Sequence, residues 1–104
     1  AAKQNVMLGC AAWKDKVNIE DVLFAGAVIA RIGEHFNINC DSSRISETLY
    51  RDAKNDLFEF LKTNGASHYH RLMNFGLEKD IRYCLTSDGA NVLPVYEDGI
   101  LALK

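Results

Sequence analysis

The first apolar block, Asn5-Val6-Met7-Leu8-Gly9-Cys10, is a short continuous run bounded by polar residues. Continuous rather than alternating apolar character predicts a strand covered on both faces. Ala11 to Val17 then reads as the loop leaving that strand. Asn18 has the chemistry of a helix N-cap, with Asp21 three positions on, where an acid can return a bond to the cap's backbone. From Ile19 the pattern predicts a helix to about His35, apolar around most of its circumference through Val22, Leu23, Val28, Ile29 and Ile32. A glycine inside a helix costs about 1 kcal/mol relative to alanine, so Gly26, between Ala25 and Ala27, predicts a close approach by a neighbouring element.

The next block has a narrower apolar stripe. Ile45, Leu49, Ala53, Leu57, Phe60 and Leu61 recur at spacings of three or four, against a wet face of Arg44, Glu47, Arg51, Asp52, Lys54 and Glu59. This predicts one amphipathic helix, capped by Asp41 or Ser42 and running to about Lys62, with Asn64-Gly65 ending it. Ser67 is placed to cap a third, shorter helix carrying Tyr69, Leu72 and Met73 and stopped by Gly76. A fourth starts at Glu78 or Lys79 and reaches about Leu85. Val92 to Tyr96 and Ile100 to Leu103 read as strands joined by Asp98-Gly99, a strong hairpin signal, and Pro94 pushes its strand toward an edge.

The predicted order is β-α-α-α-α-β-β, an α/β chain forming a single unit over residues 1–104. One strand separated from a hairpin by four helices makes a poor independent sheet. The first strand therefore asks for neighbours that a partner chain or an upstream half would supply. The opening Ala1-Ala2-Lys3-Gln4 lacks an initiator methionine and runs almost at once into the strand pattern, which reads as the start of a fragment.

Composition narrows the classes. With 104 residues, 48% of them hydrophobic and 25% charged, the chain has ordinary globular usage. A net charge of −2 without a basic stripe argues against a nucleic-acid partner. The longest apolar run, Val22 to Ala30, is about half of what crossing a bilayer takes, so no membrane partner is expected. Nothing resembles a secretory leader, which leaves the cytoplasm as the expected location. Cys10, Cys40 and Cys84 are odd in number and widely spaced, which argues against a disulfide framework or a zinc site and predicts buried thiols.

The candidate chemistry lies at the mouth of the first helix. A loop leaving the carboxyl end of a strand and entering a helix is where open α/β sheets gather ligands. Glu20 and Asp21 stand there, and hard carboxylate oxygens are the usual partners of magnesium when a phosphorylated substrate binds. Adjacent helical residues point about 100° apart, so one of the two acids can instead serve as a cap, the commoner role. His68, His70 and Arg71 could clamp a phosphate or sulfonate, because a guanidinium binds such groups through parallel hydrogen bonds. The competing reading is an exposed polar helix face. Asp80 near a helix start is more often a cap or ion-pair partner. Cys10 is a nucleophile only if a base lies beside it. Trp13 suits a pocket or an interface. Phosphate-binding and hydrolase signatures of the Gly-rich loop and Ser-elbow types are absent.

The order of these pieces resembles the C-terminal half of the 2-phosphosulfolactate phosphatase (ComB-like) family. The resemblance is carried by Cys10-Ala11, by Asn18-Ile19-Glu20-Asp21 with the helix Val22 to Ala27, and by Leu49-Tyr50. It continues through Ser67-His68-Tyr69-His70-Arg71-Leu72, Gly76 to Cys84 and Val92-Leu93-Pro94-Val95. It implies a layered α/β/α sandwich about twice this length, of which the chain is the C-terminal portion, the N-terminal half being absent. It further implies a magnesium-dependent enzyme that hydrolyses 2-phosphosulfolactate to 3-sulfolactate and phosphate, a step toward coenzyme M. On that reading Asp21 is catalytic, Glu20 and Asp21 hold Mg2+, and His68 and Arg71 bind the small phosphate ester. The sequence departs from the family's loop at Ala12 and Asp15, where glycines are usual, and at Asn18, where serine is usual.

A second reading is kept beside the first: a non-catalytic structural or interaction domain that completes a partner's sheet, with the N-terminal half, another chain or a second copy of itself as partner.

Overall fold

A computed structural model describes residues 3–104. Five α-helices and one β-hairpin make up its regular structure: α1 Ile19–Ile32, α2 Asp41–Ala53, α3 Leu57–Thr63, α4 Ser67–Asn74, α5 Glu78–Cys84, β1 Pro94–Glu97 and β2 Ile100–Leu103. The chain is thus α/β, as its pattern predicts.

Helix α1 starts where the cap chemistry places it. The Asn18 side chain accepts a hydrogen bond from the Asp21 amide at 3.1 Å, satisfying one of the donors that a helix start leaves free. A short 3-10 turn, Gly33–His35, continues it to the expected end. The small stripe at Ala25 and Gly26 lies against α2. A Cβ built on Gly26 would stand 2.0 Å from the Ser46 carbonyl oxygen and 2.7 Å from the Tyr50 Cβ. Nothing larger than hydrogen fits there, so Gly26 sets the separation of the two helices.

The single amphipathic helix expected from Asp41 to Lys62 is two helices. Its apolar spacing runs unbroken from Ala53 to Leu57, yet the Asp56 carboxylate accepts the Glu59 amide at 3.0 Å and starts α3 anew. Local capping by a short acid wins over periodicity here. The caps of α2 and α4 fall at Cys40 and Ala66, not at Asp41, Ser42 or Ser67. Leu23, Ala53, Leu61, Ala66, Tyr69 and Ile81 form the buried cluster on which the helices converge.

Two further expectations fail. Residues 5–10 form no strand: their backbone pairs with nothing among the described residues, and Val6, Met7 and Leu8 are exposed, Met7 at 92%. A strand is a paired object, and among the described residues the only strands lie in the hairpin, which pairs with itself. The second failure concerns the cysteines, all three of which are free and exposed.

The surroundings of Cys40 acidify its thiol. Hydrogen bonds with the Ser42 hydroxyl and with that of Ser43, at 3.0 Å, favour the thiolate and bring its pKa down to about 7. The thiolate is the nucleophile. Alkylation by iodoacetamide is expected to reach half its limiting rate near pH 7 at Cys40, which peptide mapping across a pH series would show. A rate that rises only above pH 8 would contradict it.

The hairpin follows its turn chemistry. Asp98 and Gly99 have φ of 50° and 80°, the left-handed pair that matches the twist of the flanking strands. Pro94 pairs with Leu103 and Glu97 with Ile100, with proline at the first strand position, where its missing N–H is tolerated. Both faces of this two-stranded sheet are open: Tyr96, Ile100, Leu101 and Leu103 are each about 70% exposed. No helix layer covers the hairpin among the described residues.

Candidate functional site

The loop before α1 is built from strained backbone. Ala12, Lys14 and Asp15 all have left-handed φ, at 64°, 51° and 59°. For residues carrying a Cβ this costs about 1 kcal/mol or more each. Lys14 and Asp15 form a tight turn closed by two backbone bonds between Trp13 and Lys16, at 2.9 and 3.0 Å. Ala12 is held by Asp21, whose carboxylate accepts the Ala12 amide at 3.0 Å.

That last bond gives Asp21 a structural task at the helix start. Its carboxylate turns toward the loop, not back to the Asn18 amide, so the reciprocal cap expected from the sequence is half-made: Asn18 caps, and Asp21 braces the loop. Ala12→Gly relieves left-handed strain of about 1–2 kcal/mol and costs about 0.4–1 kcal/mol through a freer unfolded chain. A net gain of about 0.5–1 kcal/mol is expected by chemical denaturation. A loss would mean that the Ala12 methyl group makes contacts worth more than the strain.

The strained turn delivers Trp13 to α4. Its indole meets the His68 ring edge-on, with centroids 5.3 Å apart, and the Arg71 guanidinium lies over it at 4.7 Å. The Lys14 ammonium is 5.8 Å from the same ring. On the other side of His68, Nδ1 pairs with the Glu20 carboxylate. His68 and Glu20 are 48 residues apart in sequence, and both are partly buried. The second ring nitrogen of His68, Nε2, is buried without a hydrogen-bond partner. An unpaired buried polar group costs about 1–3 kcal/mol, so this nitrogen is a contact left open.

The sequence candidates therefore divide. Glu20, His68 and Arg71 come together around Trp13, with Asp21 bracing the adjoining loop. His70 does not join them: it is exposed, with its ring against Tyr69. Asp80 shares with Glu20, His68 and Tyr69 the lining of a small cavity of about 150 Å³. Cys10 lies exposed in the unpaired N-terminal segment. Trp13 is the residue whose place the sequence does not reveal, because no spacing rule points from position 13 to position 68.

As a metal centre the site is partial. The Glu20 carboxylate is engaged by His68 and that of Asp21 by the Ala12 amide, so the two acids do not converge as a pair of ligands. Among the described residues no three His, Cys, Asp or Glu side chains gather as a ligand set. Magnesium needs less than that, since it commonly takes one or two protein carboxylates and fills its shell with water and substrate phosphate. Asp21, half-buried and with one carboxylate oxygen unengaged, fits such a role.

No helix among the described residues is long and apolar enough to cross a membrane. No solved structure matches the chain significantly. A family described as 2-phosphosulpholactate phosphatase matches residues 1–99. The chain is 33% identical over 103 residues to a protein of Thermotoga petrophila, covering 99% of this chain and 44% of that protein. It is 29% identical over 101 residues to one of Caldanaerobacter subterraneus, covering 96% and 41%. A Picosynechococcus protein is 36% identical over 92 residues, covering 86% and 37%. All three are named "Probable 2-phosphosulfolactate phosphatase". The chain spans less than half the length of these relatives, a share of the size expected for one half of the family fold. It belongs to the 2-phosphosulfolactate phosphatase family.

Proposed function

We propose that this chain is the C-terminal portion of a magnesium-dependent phosphatase of the cytoplasm. The reaction is hydrolysis of 2-phosphosulfolactate to 3-sulfolactate and phosphate, on the route to coenzyme M. The observation that carries this reading is the convergence of the Glu20–His68 pair and the Trp13–Arg71 stack beside the strained loop that Asp21 braces. Backbone strain held by surrounding structure clusters at functional sites.

In this reading Asp21 is the protein carboxylate that holds Mg2+, and Glu20 adds charge beside it while fixing His68. When bound, the ion would draw electron density from the phosphoryl oxygens. The chain's own groups do the rest of the positioning. Arg71, its guanidinium plane ordered by the Trp13 ring, offers parallel N–H donors to an oxyanion. His68, with Nδ1 committed to Glu20, is fixed edge-on against Trp13 and helps hold that ring under Arg71. The attacking water and the groups that orient it would come from the other half of the family fold.

A second reading is favoured by one specific observation, the open hairpin. In it the chain completes a partner's sheet, or that of a second copy, and keeps the fold without the chemistry. Phosphate release from 2-phosphosulfolactate, measured on the assembled protein with magnesium and with a chelator, separates the two. Magnesium-dependent release is the expected result. A folded assembly that releases nothing under either condition establishes the non-catalytic role.

A further inference from the structure

The turn between α3 and α4 is made by Asn64-Gly65, where the chain has its only asparagine followed by glycine. The Ala66 amide donates to the Leu61 carbonyl at 3.0 Å and the Gly65 amide to that of Lys62 at 3.3 Å, the bond pattern of a Schellman close. Gly65 has a φ of 67°, a left-handed position that glycine takes without strain. The Asn64 side-chain amide donates to the Phe60 carbonyl at 2.9 Å and adds a further bond to the helix end. Leu61 and Ala66, on either side of the turn, belong to the buried cluster, while Asn64 and Gly65 are exposed. A Cβ built on Gly65 would meet nothing within 4 Å.

We propose that Asn64 is a site of spontaneous deamidation, and that the isoaspartate it yields loosens α4 from the helical core. A solvent base takes the Gly65 amide proton, and the freed nitrogen attacks the Asn64 Cγ. A C–N bond forms, the Cγ–Nδ2 bond breaks, and Nδ2 leaves as ammonia with a proton returned by solvent. Water then opens the five-membered imide at either carbonyl, to aspartate or to isoaspartate, and nothing is oxidised or reduced. At every other asparagine the next residue carries a side chain that crowds the attacking nitrogen, whereas the space beside Gly65 is empty. The Asn64 ψ of 5° keeps that nitrogen turned away from Cγ, so the reaction runs through local opening of the turn. The Gly65–Lys62 bond, which must break, is longer than the others that hold the turn, and exposed turns are among the first parts of a fold to open.

Both products act on α4. Aspartate at position 64 loses the donor to Phe60 and sets a negative charge beside the free carbonyls that end α3, where a helix favours cations. Isoaspartate also routes the main chain through the side-chain carbon, adding a backbone atom ahead of Gly65. The Ala66 amide then misses the Leu61 carbonyl, and Ala66, 2% exposed, is the residue from which α4 starts. Helix α4 carries His68 and Arg71, and Trp13 packs on both. As the chain's single tryptophan, Trp13 reports the change by its emission. None of this depends on the phosphatase reading.

The full chain is incubated folded at neutral and at mildly alkaline pH, and unfolded in urea as the control. Peptides are then mapped by mass spectrometry, with enzymatic methylation of isoaspartate as a second readout. Conversion of Asn64 ahead of every other asparagine, faster at the higher pH and faster still in urea, is the expected result. Asn64 staying intact in the folded chain while the urea sample converts overturns the site, as does another asparagine converting first. Asn64→Gln, whose longer side chain closes a ring poorly, should stay unconverted and fold by circular dichroism; conversion at the parent's rate overturns the imide route. The deamidated chain, separated from the parent by ion exchange, should lose amide-exchange protection across Ser67–Asn74 and shift its Trp13 emission. Asn64→Asp, which carries the charge on a normal backbone, should change both less. Exchange and emission like the parent's in the deamidated chain overturn the link to α4.

Discussion

On the proposed function, Asp21→Asn is expected to lower kcat/KM of the full-length protein by about 10²–10³-fold with little change in melting temperature. The substitution is chosen for what it keeps. An asparagine carbonyl can still accept the Ala12 amide, so the 3.0 Å bond that braces the loop survives in kind. What is lost is the negative charge. If Asp21 holds a divalent cation against a phosphoryl group, that charge contributes several kcal/mol to the transition state, and each 1.36 kcal/mol corresponds to about tenfold in rate. A purely structural Asp21 gives the opposite outcome, with unchanged turnover and a loss of stability near 1 kcal/mol for a weakened hydrogen bond. Steady-state kinetics with thermal melts of the same preparations decides between them.

Gly26→Ala should produce the largest loss of stability among glycine-to-alanine changes in this chain. Helix propensity alone favours alanine by about 1 kcal/mol. Sterics win because the new Cβ would stand 2.0 Å from the Ser46 carbonyl oxygen. That oxygen belongs to the backbone of α2 and cannot rotate away as a side chain would. The helices must move apart, loosening the contacts of Leu23 with its cluster, at a net cost of about 3 kcal/mol. For a domain of this size, each kcal/mol moves the melting temperature by about 4–8 °C, so a fall of roughly 12–24 °C is expected. An unchanged melting temperature would mean that α1 and α2 do not pack through Gly26.

Features set by near neighbours are legible in the sequence alone. Asn18 capping a helix from Ile19 and the Asp98-Gly99 turn each depend on a few adjacent residues, and each is found; the close approach at Gly26 is distant, but a glycine inside a helix signals it. The errors arise where the outcome depends on something distant or concealed. Residues 5–10 have strand chemistry, but a strand exists only with a partner. Asp56 has the chemistry of a cap, but an unbroken apolar spacing from Ala53 to Leu57 conceals it. At the site, residue type and family resemblance point to Glu20, Asp21, His68 and Arg71. Their arrangement is not legible: the Glu20–His68 pair and the Trp13–Arg71 stack are tertiary contacts that no periodicity encodes.

The hairpin has a consequence for the behaviour of the chain in solution. A two-stranded sheet is marginal by itself in water, and β1 and β2 each present an outer edge to which no other strand is bonded among the described residues. Short apolar strands with free edges are templates for further strands, including those of identical molecules. The protein's own devices against this are few. Pro94 removes one donor from β1, and an ion pair joins Lys104 at the open end of the hairpin to Glu97 near its turn. Neither protects the Ile100–Leu103 edge. The free β2 edge therefore predicts that the chain by itself self-associates through β2.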